Sequence, residues 1–152
     1  MRWLVYSLLL LLSGCGFHLK GSYQLPEQFQ SVSFSSFDHY AHISRLVRQA
    51  LLDNGIKLDS HGPQVKLLSD KLDRQTLSLF STGQVAEYEL IYTLNWQLTL
   101  PDQAPQQRSI EIRRDYQDDP TRTLAKDRER QLLLDEMRKD AAEQLVRQLA
   151  KG

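Results

Sequence analysis

The sequence predicts an α+β fold, a two-layer sandwich in which two helices pack on one face of a mostly antiparallel four-stranded sheet, in the order β-α-β-β-β-α. Three observations support this prediction. Residues 85–100 alternate apolar with polar side chains, two other segments repeat apolar residues at helical spacing, and turn-forming residues separate three consecutive strand-like segments. Strands joined by short turns run antiparallel, which sets the expected sheet.

The composition fits one folded domain. The chain has 152 residues, of which 41% are hydrophobic and 25% are charged, and its 19 basic and 19 acidic side chains give no formal net charge. Such values are typical of an ordinary folded protein. They argue against a disordered chain, a protein with several membrane spans, and a nucleic-acid binder that depends on bulk positive charge.

The first strand and the first helix are short. Residues 31–37 place Val32 and Phe34 on one face and serines on the other, which predicts a strand. The helix is predicted from apolar residues at helical spacing, and Asn54 and Gly55 provide its C-terminal end. These apolar residues are Ile43, Leu46, Val47, Ala50 and Leu51.

Three longer strands follow. Residues 65–80 alternate less regularly, so we expect a bulge or a strong twist near residues 70–76 and then a hairpin turn at residues 81–83. Residues 85–100 predict a half-buried strand, about 53 Å long at ~3.3 Å per residue. After a further turn, the alternation continues over residues 108–116 in a third long strand.

The last helix is the longest predicted element. Asp119 and Pro120 are typical of an N-terminal cap and a first helical position, and the helix could run for about 28 residues, or ~42 Å. Its apolar stripe consists of Leu134, Met137, Ala141, Leu145 and Leu149. With both helices on one face of the sheet, the polar odd-numbered positions of the central strand are expected on the open face.

The N-terminus is typical of a targeting segment. A short positive start precedes a predominantly apolar run, residues 3–12, which as a helix would reach ~15 Å, half of a ~30 Å hydrocarbon core. This length predicts a signal peptide over residues 1–14 that is cleaved. A lipidated N-terminal segment, residues 15–30, and one domain, residues 31–150, are then expected.

The string Leu12-Ser13-Gly14-Cys15 resembles the lipobox of bacterial lipoproteins. The resemblance implies that Cys15, the only cysteine, carries covalent lipid. Acyl chains contribute roughly 0.8 kcal/mol per buried CH₂ to membrane binding, so they would anchor the chain without a spanning helix. Gly16, rather than aspartate, at the next position implies sorting to the outer membrane. The alternative is a secretory signal that merely contains a cysteine.

No motif in the sequence points to catalysis. The histidines, His18, His39, His42 and His61, have no recognised metal-ligand spacing, and the chain carries no phosphate-binding glycine loop and no nucleophile motif. The sequence therefore predicts a protein that is not an enzyme. It predicts no metal and no cofactor besides the covalent lipid on Cys15.

Basic residues concentrate around the last strand and the start of the last helix, with acidic residues between them. They are Arg108, Arg113, Arg114, Arg122, Lys126, Arg128 and Arg130. Two interpretations stay open. The cluster is either a mixed-charge solvated surface or a phosphate-binding end directed at an anionic lipid headgroup.

Four local strings, taken in order, resemble one family. They are Gly14-Cys15-Gly16-Phe17-His18-Leu19-Lys20, then Phe80 with Gly83-Gln84 and Ala86-Glu87-Tyr88, then Leu124-Ala125-Lys126-Asp127, then Ala141-Ala142-Glu143-Gln144-Leu145. Together they resemble the LptE family of lipopolysaccharide-assembly lipoproteins, also called rare lipoprotein B. The resemblance covers nearly the whole mature chain, from Cys15 to about residue 149.

The resemblance implies partners and a location. LptE-like proteins form a plug inside the lumen of the LptD β-barrel, in a one-to-one complex, help that barrel to assemble, and bind lipopolysaccharide during its insertion at the cell surface. The expected location is therefore the outer membrane, where the chain is lipid-anchored on the periplasmic side and inside the barrel lumen. No nucleic-acid partner is expected.

The resemblance also implies lipopolysaccharide-binding residues. Lys126 matches a basic position of the family near the start of the last helix. At a second position, where a basic residue can follow the phenylalanine, this chain has Ser81 after Phe80. Arg74 on the preceding strand could compensate, and Arg122 lies close to Lys126 in the chain.

Two other classes of function stay open at this point. The first is an accessory scaffold lipoprotein of another envelope assembly machine, which would have no affinity for lipopolysaccharide. The second is a periplasmic enzyme, which would need an acid or a nucleophile in a pocket.

Overall fold

The backbone forms one five-stranded sheet with two helices. The computed structural model describes residues 25–151. The elements are a 3₁₀ turn (Glu27–Phe29), β1 (Ser31–Ser36), α1 (His42–Asp53), β2 (Lys57–Leu58), β3 (Gln64–Leu79), β4 (Val85–Thr99), β5 (Gln106–Gln117), a second 3₁₀ turn (Pro120–Arg122) and α2 (Thr123–Lys151). The strand order in the sheet is β2-β1-β3-β4-β5.

The α+β class is confirmed, but the predicted four-stranded, mostly antiparallel sheet is wrong in its strand count and in its first pairings. The sheet is mixed, because β1 runs parallel to both β2 and β3, while β3, β4 and β5 pair antiparallel. The helix α1 connects β1 to β2, and a crossover of this kind leads to parallel neighbours. Since β2 has only two residues, no alternation in the sequence could reveal it.

The core lies between one face of the sheet and the helices. On β4, the even-numbered residues from Leu90 to Leu98 are all 1% exposed or less, whereas the odd-numbered residues between them are only half-buried. From α2, apolar side chains complete this core: Met137, Ala141, Ala142, Leu145, Val146 and Leu149. The predicted one-sided burial of the central strand is therefore confirmed.

Register breaks in β3 decide which of its side chains face the core. Before Leu68, Val65 and Leu67 lie opposite the buried Leu98 and Trp96. Leu68 has no partner residue on β4, and beyond it Asp70, Leu72 and Arg74 lie opposite Leu94, Tyr92 and Leu90. A single extra residue shifts the two-residue period of a strand, so the inward positions change from odd to even numbers. Further breaks lie on either side of Ser78, so the irregularities flank residues 70–76 instead of lying within them.

The end of α1 has the form that its sequence predicts. Gly55 adopts a positive φ of 78°, which costs glycine little because it has no Cβ atom. The N–H groups of Gly55 and Ile56 donate to the carbonyl oxygens of Leu52 and Leu51, at 2.9 and 3.0 Å. These two bonds form a Schellman motif, which satisfies the last carbonyls of the helix and turns the chain toward β2.

A series of polar side-chain contacts links the sheet to both helices. The Tyr92 hydroxyl donates to Asp70 Oδ2 at 3.0 Å, and Arg138 Nε lies 3.9 Å from the same oxygen. Arg138 Nη1 is 3.3 Å from Asp135 Oδ1, and His42 Nδ1 is 3.2 Å from that atom. Burial, followed by the charge of Asp70, raises the pKa of Tyr92 far above its usual value, so this phenol stays a donor across the physiological range.

We expect Tyr92→Phe to lower the free energy of unfolding by about 2 kcal/mol, because it leaves a half-buried carboxylate without its hydroxyl donor. Urea denaturation with matched buffers measures this change. Tyr40→Phe is the control, since Tyr40 is 86% exposed. A loss for Tyr92→Phe no larger than that for Tyr40→Phe would contradict the proposed role of the hydroxyl.

Candidate functional site

Two tyrosines lie side by side at the end of the sheet where α2 begins. Tyr88 of β4 is directly opposite Tyr116 of β5 in the antiparallel register. Tyr116 is buried and Tyr88 is half-buried. Directly opposed side chains on one face of a sheet are close neighbours. We call Tyr88 and Tyr116 the tyrosine pair.

The tyrosine pair carries two of the basic residues that the sequence singles out. Arg74 Cζ lies 5.0 Å from the ring centroid of Tyr88, and Lys126 Nζ lies 5.3 Å from that of Tyr116. A cation over an aromatic ring gains about 0.5–1 kcal/mol at exposed sites. The rings therefore hold Arg74, from β3, and Lys126, from α2, at the same end of the molecule.

The position of Lys126 is fixed through its backbone as well. The Tyr116 hydroxyl donates to the carbonyl oxygen of Lys126 at 2.9 Å, which ties the first turn of α2 to β5. Burial, followed by the charge of Asp118, raises the pKa of Tyr116, so this hydroxyl keeps its proton at neutral pH. This hydrogen bond thus fixes the position of the start of α2 on β5.

The segment before α2 is capped by Asp119. Its Oδ1 accepts hydrogen bonds from the Thr121 hydroxyl at 2.6 Å and from the Thr121 N–H at 2.9 Å. These two bonds hold the pKa of Asp119 below its usual value. The predicted cap is present, but it begins the 3₁₀ turn Pro120–Arg122, which leads into α2.

Lys126 is already paired with a carboxylate. Its Nζ lies 2.9 Å from Glu129 Oε2, and its side chain is only 19% exposed. An incoming phosphate would have to displace Glu129 or share the ammonium with it. The structure therefore shows a cation that is held in place, with a competing anion of the same chain beside it.

A cleft of about 390 Å³ opens beside Lys126. It is lined by Leu77, Glu87, Asp115, Tyr116, Gln117, Lys126 and Glu129. Glu87 accepts bonds from Ser78 Oγ at 2.9 Å and from Gln117 Nε2 at 3.3 Å. Arg74 does not line this cleft. Because three carboxylates line it together with one ammonium, an anion is favoured only close to Lys126.

The other predicted residues have different surroundings. Arg122 lies on the 3₁₀ turn with an exposed side chain and does not line the cleft. The lipidation residue Cys15 lies outside the part of the chain that the structure describes. Between residues 25 and 151, no group of three or more histidine, cysteine, aspartate or glutamate side chains could hold a metal ion.

Several members of the basic cluster are ion-paired, as the mixed-charge interpretation expects. Arg113 contacts Glu89 and Glu111, each at 2.7 Å, on the open face of the sheet. Further ion pairs join Arg114 to Asp140 and Arg130 to Asp127. For these three arginines the mixed-charge interpretation is therefore favoured. Lys126 is also ion-paired, but it differs from them in lying over a tyrosine ring.

Sequence reasoning missed the tyrosine pair and the Lys126–Glu129 contact. The sequence does contain a signal for the pairing of the two tyrosines. Both lie fourteen positions from Asp102, at the centre of the β4–β5 turn. A hairpin turn sets the register of its strands. By contrast, no local signal predicts that α2 begins over β5, since that contact depends on tertiary packing.

Comparisons with known proteins agree with this fold. A family model described as "LptE: Lipopolysaccharide-assembly" matches residues 29–149. The LPS-assembly lipoprotein LptE of Pectobacterium atrosepticum is 37% identical over 145 residues, covering 92% of this chain and 79% of that protein. The corresponding protein of Photorhabdus laumondii is 36% identical over 144 residues, with the same coverage of both chains.

Solved structures give the same result. The crystal structure of rare lipoprotein B from Shewanella oneidensis superposes with a TM-score of 0.74 at 46% identity, covering 80% of this chain and 94% of that one. The solution structure of a lipoprotein B from Nitrosomonas europaea has a TM-score of 0.68 at 26% identity, with 89% and 90% covered. Within residues 25–151, no helix is both long and apolar enough to span a membrane.

We expect Tyr116→Phe to lower the free energy of unfolding by about 1 kcal/mol and to speed amide exchange in the first turns of α2, because the bond to Lys126 is lost. Urea denaturation and hydrogen exchange measure the two effects. Tyr88→Phe is the matched control, since among residues 25–151 no hydrogen bond of its hydroxyl is found. Equal exchange at the start of α2 in the two variants would contradict this assignment.

Proposed function

We propose that this chain, which belongs to the LptE family of lipopolysaccharide-assembly lipoproteins, binds lipopolysaccharide and acts as the partner of the LptD β-barrel in the outer membrane. The observation that carries the lipopolysaccharide part of the proposal is the placement of Arg74 and Lys126 on the tyrosine pair. Lipopolysaccharide is a phosphorylated glycolipid, and its phosphates need cations that are held in position. The proposed role is binding and not catalysis.

The two cations suit a phosphate in different ways. Arg74 is exposed at the rim of the site, and its guanidinium can offer two parallel N–H donors to a phosphate. Lys126 offers a compact ammonium that Glu129 shields until an anion of higher charge competes for it. Arg122 extends the positive edge along the 3₁₀ turn and acts through its charge alone. Ser81 supplies no cation, so Arg74 takes the place of the basic residue expected there.

The open face of the sheet supports the proposed barrel partner. On β4 it carries polar side chains, including Thr93, Asn95 and Gln97, and on β5 it carries Glu111 and Arg113. Helices cover only the opposite face of the sheet. The lumen of an outer-membrane barrel is polar, so this face, apart from Ile91, matches the barrel wall in polarity.

The anchor completes the proposal. Acylation of Cys15 would hold the chain at the outer membrane, while the strands of the sheet enter the barrel from the periplasmic side. A mild-detergent pull-down of the acylated protein tests the partnership, with the stoichiometry taken from the purified complex. A one-to-one complex with the LptD barrel supports the proposal, and another partner, or none, would return the function to an unassigned lipoprotein scaffold.

We expect Lys126→Glu to weaken lipopolysaccharide binding by about tenfold or more, because a charge-assisted contact is replaced by repulsion. Lys139→Glu is the matched control, since it makes the same charge change at an exposed position of the same helix. Binding is measured on the full acylated chain with labelled lipopolysaccharide. Equal affinities of the two variants would remove Lys126 from the site.

Glu129→Gln should have the opposite effect. It removes the competing carboxylate from Lys126, so we expect lipopolysaccharide to bind about threefold more tightly. The same assay measures this change, and a salt titration shows whether it is electrostatic. Weaker binding would mean that Glu129 helps the ligand instead of competing with it.

The open sheet face gives a test of the barrel contact. A single thiol introduced by Thr93→Cys should react with a maleimide reagent in the free protein and be protected in the LptD complex. Ser60→Cys, in the exposed loop after β2, reports on general shielding. If the complex leaves the reactivity at position 93 unchanged, the barrel does not cover this face.

A further inference from the structure

We propose that the end of the β3–β4 hairpin, formed by Leu77, Leu79 and Phe80, contacts the acyl chains of the same glycolipid whose phosphate is held at Lys126. These three residues are called the apolar tip below. The inference rests on the proposed function and extends it from the charged groups of the ligand to its hydrocarbon.

The apolar tip is exposed. Leu77, Leu79 and Phe80 are 50%, 60% and 46% exposed, although they are three of four consecutive residues. The residue between the two leucines, Ser78, uses its hydroxyl to bond Glu87. A run of exposed apolar side chains at one place marks a binding surface more often than isolated exposed residues do.

The apolar tip is also held in shape before any ligand binds. The N–H of Phe80 donates to the carbonyl oxygen of Gln84 at 2.8 Å, and the N–H of Gly83 donates to that of Phe80 at 2.9 Å. Gly83 adopts a φ of 85°, which a glycine tolerates and which closes the turn. A ligand would therefore meet a formed turn and would have little chain to order on binding.

The side chains beside the apolar tip indicate which kind of ligand binds there. Leu77 lines the same cleft as Lys126 and Tyr116, so an apolar and a cationic side chain border one cavity, together with the carboxylates of Glu87, Asp115 and Glu129. This arrangement fits an amphiphile whose phosphate meets the ammonium while its acyl chains leave the cleft along the leucines. An uncharged apolar ligand would leave the cation unused, and a small anion would leave the apolar tip in water.

A protein partner that bound the apolar tip alone fits this surface less well. A specific protein interface takes about 20 residues or more on each side. Three side chains at the end of a two-stranded ribbon are too few for this, whereas they are enough to cover a short length of hydrocarbon chain. Of the other exposed large apolar residues, Leu52, Leu124 and Leu132 lie on the helices, and Phe37 and Tyr40 lie between β1 and α1. None of them lines the cleft.

The test compares two ligands on the full chain, purified from membranes and held in nanodiscs of phosphatidylcholine. One ligand is intact lipopolysaccharide, and the other is the same material after alkaline removal of its acyl chains, with sugars and phosphates kept. The tip variant is Leu79→Ser combined with Phe80→Ser, and the single Leu79→Ser is a milder second form. Leu52→Ser is the matched control, at 49% exposure on α1. Urea denaturation checks that all variants fold.

We expect the tip variant to bind intact lipopolysaccharide about tenfold more weakly than the parent chain, while its affinity for the deacylated form stays the same. Lys126→Glu should weaken both ligands, and Leu52→Ser should weaken neither. Equal effects of the tip variant on both ligands, or no effect on either, would overturn the acyl-chain assignment. If the tip variant instead lowers the yield of the LptD complex with lipid binding intact, the tip is a protein contact and the assignment is likewise overturned.

The two proposals fail separately in this experiment. If the tip variant affects both ligands equally or neither, while Lys126→Glu still weakens the binding of both, only the acyl-chain assignment fails and the proposed function stands. No effect of Lys126→Glu on either ligand would overturn the proposed phosphate site, and the inference that rests on it would fall as well.

Discussion

The strict alternation along β4 is the constraint on which the remaining structure depends. Because its even-numbered side chains are buried and its odd-numbered ones are not, both helices have to pack on one face and the other face has to stay polar. The strand is fifteen residues long, so β3 and β5 must also be long to pair with it. An elongated sheet with one polar side follows from this single pattern.

The candidate site is a consequence of the same geometry. The turn after β4 sets the register that places Tyr88 beside Tyr116, and the two rings then position one cation from the strand before and one from the helix after. Both tyrosines lie on the core-facing side of the sheet, near the ends of β4 and β5. Binding groups are thus held by paired strands and by a helix end, which are stiffer supports than loops.

Much of this architecture could be predicted from the sequence, because β4, β5, α1 and α2 each carry a periodic pattern long enough to read. The family resemblance, and no periodic pattern, singled out Lys126 and Arg74, which the structure places over the tyrosine pair. Arg122 lies apart from them on the 3₁₀ turn, and a role of all three in binding stays a prediction. What could not be predicted depends on contacts distant in the chain: the parallel pairing of β1 with β3, the two-residue β2, and the Glu129 carboxylate that occupies Lys126. A local pattern cannot show which distant group a side chain will meet.

The extra residue Leu68 affects the charge of the candidate site through the register of β3. Because Leu68 has no partner on β4, Arg74, rather than Asp73, lies opposite Leu90 and over Tyr88. If Leu68 instead paired with Asn95, with no extra residue in β3, Asp73 would lie opposite Leu90 and would bring a negative charge where Arg74 brings a positive one. The sign of the charge at this site therefore depends on the register of β3 as well as on which side chains the strand carries.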